Sequence, residues 1–127
     1  MVRKMGEESV MRSNWVKRLS NEIPRWYNVR MGKLPDREMA KVYSVILGYA
    51  DLIYIKDGVV NIVEFKVRDF RGAIGQLLSY AQEFYNTVEF APYHALPIQL
   101  SIVANRHDVI VEELAHKNNI KYEVFQV

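Results

Sequence analysis

Residues 51–66 read Asp-Leu-Ile-Tyr-Ile-Lys-Asp-Gly-Val-Val-Asn-Ile-Val-Glu-Phe-Lys. Two runs rich in branched and aromatic residues flank Asp57-Gly58, a dipeptide that accepts positive φ at both positions and so forms two-residue type I′ hairpin loops. Upstream, Val42–Leu47 has the same β character and Gly48 permits a bend before the strand resumes at Asp51. Val59 to Val67 is the returning strand. Both faces of this hairpin are apolar, which predicts central strands covered on two sides. Counting outward from a type I′ loop, Lys56 faces Val59 and Asp51 faces Glu64, with Cβ atoms about 4.5–5.5 Å apart. Lys66, two residues beyond Glu64, points to the same face.

The flanking sequence supplies the rest of an α/β domain. Residues 7–22 read as a helix, with Val10, Met11, Trp15, Val16 and Leu19 near helical spacing and Pro24 ending it. Arg25 to Lys33 mixes aromatic and basic residues and reads as strand or loop; Leu34-Pro35-Asp36 is a turn signal. Phe70 to Val88 is the clearest helix, its apolar residues following the i, i+3, i+4, i+7 rule. Glu89 to Pro97 is a loop with two prolines, followed by a strand at Ile98–Ala104, a helix at Asp108–Lys117 and a last strand at Ile120–Val127. The order predicts one α/β domain over residues 1–127, with a mixed central sheet flanked by helices.

Composition sets the outer bounds. The chain has 127 residues, half of them hydrophobic and 25% charged, as expected for a folded domain rather than a disordered one. No apolar run reaches the roughly 18–20 residues that cross a bilayer, and the basic N-terminus has no apolar stretch behind it, so neither a membrane partner nor a secretory signal is expected. The absence of cysteine excludes disulfides, thiolate zinc sites and cysteine nucleophiles, and fits a cytoplasmic protein. Net charge is only +2, but residues 1–41 hold ten Lys/Arg against five Asp/Glu, whereas residues 42–127 hold seven against ten. A basic N-terminal third on a slightly acidic body suits a surface that meets phosphate, or simply a solvated helix face.

Two acids opposed on an apolar face repel and destabilise a sheet. A divalent cation between them removes the conflict, and carboxylate oxygens suit Mg²⁺, with Mn²⁺ as substitute, rather than zinc. Such a metal could coordinate a scissile phosphate and lower the pKa of a bound water, with Lys66 orienting or deprotonating that water. The other reading of the same residues is a salt-bridged triad, Asp51–Lys66–Glu64, at the wet end of a sheet.

The residues resemble the signature of the PD-(D/E)XK nuclease superfamily, and of its RecB-like branch in particular. That branch is read as GxxD, then ExK, then QxxxY on the following helix. Gly48-Tyr49-Ala50-Asp51 matches the first element, Glu64-Phe65-Lys66 the second and Gln76-Leu77-Leu78-Ser79-Tyr80 the third. The motifs cover about residues 42–88. The resemblance implies a restriction-endonuclease-like fold and Mg²⁺-dependent hydrolysis of DNA phosphodiesters. Asp51 and Glu64 would be metal ligands, the Phe65 carbonyl would complete the protein shell, and Lys66 would be the catalytic lysine. Gln76 and Tyr80, four apart on one helix face, would sit beside the site. Many RecB-like nucleases carry a histidine ligand upstream of GxxD, and this chain has none before His94. Related Holliday-junction resolvases use a glutamate in the first helix instead; Glu8 and Glu22 are the candidates, with Glu38 a third.

The expected function is therefore a metal-dependent deoxyribonuclease, with DNA as partner and, from the small size, a homodimer or a helicase-like partner completing the DNA clamp. The alternatives are a Holliday-junction resolvase of the same superfamily and a catalytically inactive nucleic-acid-binding module. Arg68 and Arg71 are lesser candidates for a phosphate clamp. Trp26 and Tyr27 could stack on unpaired bases or be plain core aromatics. No pair among His94, His107 and His116 has metal-ligand spacing.

Overall fold

The structure, a computed structural model, describes residues 6–32 and 48–126. The expected strand at Val42–Leu47, the turn at Leu34–Asp36 and Glu38 lie outside them. The described chain runs α1 (Glu7–Val16), β1 (Arg25–Arg30), β2 (Tyr49–Lys56), β3 (Val59–Lys66), α2 (Phe70–Glu83), β4 (Ile98–Ala104), α3 (Val109–Lys117) and β5 (Ile120–Val124). The five strands form one mixed sheet in sequential order. β1–β2 and β2–β3 are antiparallel, and β3–β4 and β4–β5 parallel. Each parallel step needs a crossover, which α2 and α3 provide.

The hairpin forms as its residues predict. Asp57 and Gly58 take φ of 52° and 74°, as a type I′ turn requires, and the register runs from Lys56↔Val59 to Leu52↔Val63. β3 is central and apolar on both sides. Val60 and Ile62 pack under α2 and α3 with Ile53, Leu77, Ile102, Val111 and Ala115. Val63 and Phe65 face Met11, Trp15 and Val16 of α1, with Leu52 and Val103. Trp15 meets the Phe65 ring edge-on at 5.6 Å, and its indole N–H donates to Glu123 Oε2 at 2.6 Å.

Three boundaries differ from the sequence expectation. α1 stops at Val16 rather than residue 22, because Trp15 and Val16 are its last buried residues. The chain then tightens into turns, with Arg18 N–H bonding Trp15 O and Leu19 N–H bonding Val16 O. α2 stops at Glu83 rather than Val88, giving way to short 3-10 helices at Phe84–Asn86 and Val88–Tyr93. Thr87, fully buried and extended, sets that break: its hydroxyl donates to Glu83 O at 2.8 Å and accepts from Gly32 N–H at 2.7 Å. The break lets both Phe84 and Phe90 turn inward, 5.2 Å apart, where a continuous helix would not. The last strand ends at Val124, one backbone bond from Phe125 N–H to Ala104 O carrying the pairing on. No described helix is long and apolar enough to cross a membrane.

Candidate active site

The two ladders that hold β2 both open at Asp51. On one side the β2–β3 register ends at Leu52↔Val63, one step short of the expected Asp51–Glu64 pair. On the other, the β1–β2 register passes from Tyr27↔Leu52 to Val29↔Ala50, omitting Asn28 and Asp51. Asn28 explains this break, since its φ of 50° is left-handed and turns β1 out of its pleat. Ala50 then joins the same core cluster as Ile53 instead of that of Leu52, so the side-to-side alternation of β2 fails at Asp51.

The acids do meet, but not as the simple cross-strand pair expected. They interlock: Asp51 N–H donates to Glu64 Oε1 at 3.1 Å, and Phe65 N–H donates to Asp51 Oδ2 at 2.9 Å. Side-chain oxygens thus take the place of ladder carbonyls where the strands part. Glu64 is 3% exposed. Burial, and then repulsion from Asp51, push its carboxyl up to about 8. Burial also raises Asp51, against the Phe65 N–H bond and the positive charge of Arg12, which favour its ionised form.

Lys66 is half-buried and its charge acts on both carboxylates. Yet among the described residues no ion pair within 4 Å involves Asp51, Glu64 or Lys66. The salt-bridged triad is therefore not formed there, and Glu64 is buried without a contacting cation. Glu8, in the first turn of α1, reaches the same place from the opposite face of the sheet. Its Oε1 accepts the Val67 N–H at 3.3 Å, and its charge adds to the burden on both acids. Glu22 does not reach it: it is exposed between α1 and β1, at the end of the sheet that pairs Arg25 with Tyr54 and carries the hairpin turn.

The third motif divides. Tyr80 is buried and its O–H donates to Tyr49 O at 3.0 Å, fastening α2 to the start of β2. Burial, then the negative charges of Glu64 and Asp51, raise its pKa, so the phenol stays protonated. Gly48 serves the same contact. Its φ is +64° and a Cβ there would lie 3.2 Å from the Tyr80 hydroxyl. Gln76 is exposed and makes no side-chain hydrogen bond among the described residues. Arg68 and Arg71 are exposed. Trp26 is a core aromatic against Phe90 and Tyr93, whereas Tyr27 is exposed. The histidines lie elsewhere: His94 sits against Phe84 and Tyr85, and His107 contacts Glu112 at 2.7 Å. Two residues at the site went unread in the sequence, Arg12 and Asn28. The only signal for Asn28 is the tolerance of asparagine for left-handed backbone.

Among the described residues no three His, Asp or Glu side chains converge as a metal cage. The donor set is thus two carboxylates, which suits a hydrated, hard divalent cation of the Mg²⁺ type better than a dehydrated one. A buried, mutually repelling pair is also the arrangement that a cation stabilises most.

No family model and no curated protein matches the chain. Solved structures do. A repair endonuclease from Pyrococcus abyssi matches over 98% of this chain and 50% of its own length, with TM-score 0.59 and 15% identity. EndoMS in complex with dsDNA matches over 99% of this chain and 47% of its own length, with TM-score 0.60 and 13% identity. The chain spans about half the length of these proteins. The mixed five-stranded sheet with its flanking helices is an α/β restriction-endonuclease-like fold.

Proposed function

We propose that the protein is a metal-dependent deoxyribonuclease of the PD-(D/E)XK type, RecB-like in its motifs. The observation that carries this reading is the interlocked Asp51–Glu64 pair at the opened end of the hairpin, with Glu64 buried and neither acid ion-paired to a Lys or Arg side chain among the described residues. The endonuclease fold neighbours support the same direction.

Asp51 and Glu64, with the Phe65 carbonyl, are the residues that would hold Mg²⁺ or Mn²⁺. Such a cation supplies Lewis acidity toward a phosphodiester and lowers the pKa of water. The chain's own groups do the rest. The Phe65 and Asp51 N–H groups fix one oxygen of each carboxylate, which leaves the other oxygen of each free for a ligand. Lys66 brings a positive charge to the two carboxylates, where it would stabilise the charge that grows on the phosphoryl oxygens and help to orient a water. Tyr80 stays neutral and holds β2 against α2, so it positions Asp51 rather than exchanging protons. Glu8 is the upstream acid best placed to assist. That placement also favours the Holliday-junction resolvase alternative on this one point, since those proteins draw an acid from the first helix. The small domain suits assembly on DNA as a homodimer or with a helicase-like partner.

The test is cleavage of linear, circular, single-stranded and four-way-junction DNA with Mg²⁺ or Mn²⁺. Wild type should cut at least one substrate only with metal, and Lys66→Ala and Asp51→Ala should each lose about 10²-fold or more. Absence of metal-dependent cleavage on every substrate, or cleavage unchanged in both variants, overturns the reading.

A further inference from the structure

Arg12 lies one turn beyond Glu8 on α1, so both side chains leave the helix toward the opened end of the sheet. Its Nη1 donates to Asn28 Oδ1 at 3.1 Å, joining α1 to the residue that interrupts β1 opposite Asp51. Beside it, Arg12, Ser13, Val16 and Tyr27 line an open cavity of about 330 Å³. Tyr27, on the edge strand β1, is 47% exposed, while the adjacent Trp26 is packed against Phe90 and Tyr93. Leaving a large aromatic ring in water gives up its burial, so a ring exposed over a cavity edged by a guanidinium is a surface suited to a ligand. An exposed ring offers a face for any base, and a guanidinium pairs in a fork with phosphate oxygens. The neighbouring groups permit an anion there. Asn28 and Ser13 are neutral, and the two carboxylates within reach of the Arg12 charge, Asp51 and Glu8, are each engaged by a backbone N–H, from Phe65 and Val67.

We propose that Arg12 and Tyr27 form a subsite for one nucleotide of single-stranded DNA, the phosphate on Arg12 and the base stacked on Tyr27. The subsite rests on the nuclease reading and adds to it the path of the strand, which leaves the Asp51–Glu64 pair across the α1–β1 side of the sheet. The Asn28 amide positions Arg12 and is not itself a contact to DNA.

Binding in EDTA separates this proposal from catalysis. The probe is a fluorescein-labelled single-stranded oligonucleotide, followed by anisotropy against salt concentration, with the full chain. Tyr27→Ala should weaken binding about tenfold or more, and Tyr27→Phe, which keeps the ring, should bind like wild type. Arg12→Ala should weaken binding and reduce the salt slope by about one, and Arg12→Lys should restore the slope. Wild-type affinity and slope in both alanine variants overturn the subsite, as does equal loss in Tyr27→Phe and Tyr27→Ala. If those variants bind normally while Asp51→Asn abolishes cleavage, the subsite fails and the nuclease reading stands. If they lose binding while no DNA is cut under any metal, the nuclease reading fails and the subsite stands.

Discussion

Replacing Glu64 by Gln should stabilise the metal-free protein at alkaline pH, which is the reverse of what removing a buried hydrogen-bonding residue normally does. Gln keeps the oxygen that accepts the Asp51 N–H and presents an amide, instead of a second negative charge, to the Asp51 carboxylate. Holding the Glu64 carboxyl at about 8 rather than 4.5 amounts, at about 1.4 kcal/mol per pH unit, to a cost on the order of 5 kcal/mol for ionising it in the folded state. The sign follows from proton binding. Between pH 4.5 and about 8 the folded chain holds a proton that the unfolded chain has released, so this residue's contribution is fully present below that window and is lost as pH rises through it. In thermal unfolding with EDTA, wild type should therefore lose stability from pH 5 to pH 8.5 relative to Glu64→Gln. At about 3–5 °C per kcal/mol for a domain of this size, the variant should melt on the order of 15 °C higher at pH 8.5, and the gap should close near pH 5. Saturating Mg²⁺ or Mn²⁺ should raise the melting temperature of wild type at pH 8.5 and leave the variant nearly unchanged. A variant that melts at or below wild type at pH 8.5, or a gap equal at both pH values, would refute the assignment of Glu64 as a carboxylate held against its own charge.

Two other substitutions test the scaffold, one beside the pair and one at the start of α3. Gly48→Ala should cost about 1–2 kcal/mol by urea unfolding, from the left-handed backbone and the 3.2 Å approach to the Tyr80 hydroxyl. In a Tyr80→Phe background the cost should fall, because the hydroxyl is gone. Asp108→Ala should cost about 1 kcal/mol in the same assay, since Asp108 caps α3 by accepting the Val111 N–H at 3.1 Å.

The hairpin was the most legible part of the chain, because turn chemistry and register are local. Asp57-Gly58 admits few loop geometries, and once the loop is set the pairing of Lys56 with Val59 carries through to Leu52 and Val63. Reading outward stops being reliable at Asp51, where a residue from a different strand decides the outcome. Asn28 breaks β1, which a pleat-by-pleat count from Asp57 cannot register. The count therefore places Asp51 and Glu64 together for a sound reason and still misses how they bond. Helix ends failed for a similar cause. Thr87 terminates the α2 region through partners at Glu83 and Gly32, the second of which is 55 residues away. The apolar periodicity through Val88 gives no sign of that. The choice between Glu8 and Glu22 was likewise tertiary. Both precede Asp51, and only the packing of α1 on β3 separates them.

Asp51 and Glu64, at the opened end of the hairpin, are the residues proposed to bind a divalent cation. Titration of the full chain with Mn²⁺, following the free ion by its paramagnetic resonance signal, measures this without DNA or turnover. Saturable binding in wild type, weakened about tenfold or more in both Asp51→Asn and Glu64→Gln, is the predicted result. No saturable binding by wild type, or equal binding by wild type and both variants, would contradict it.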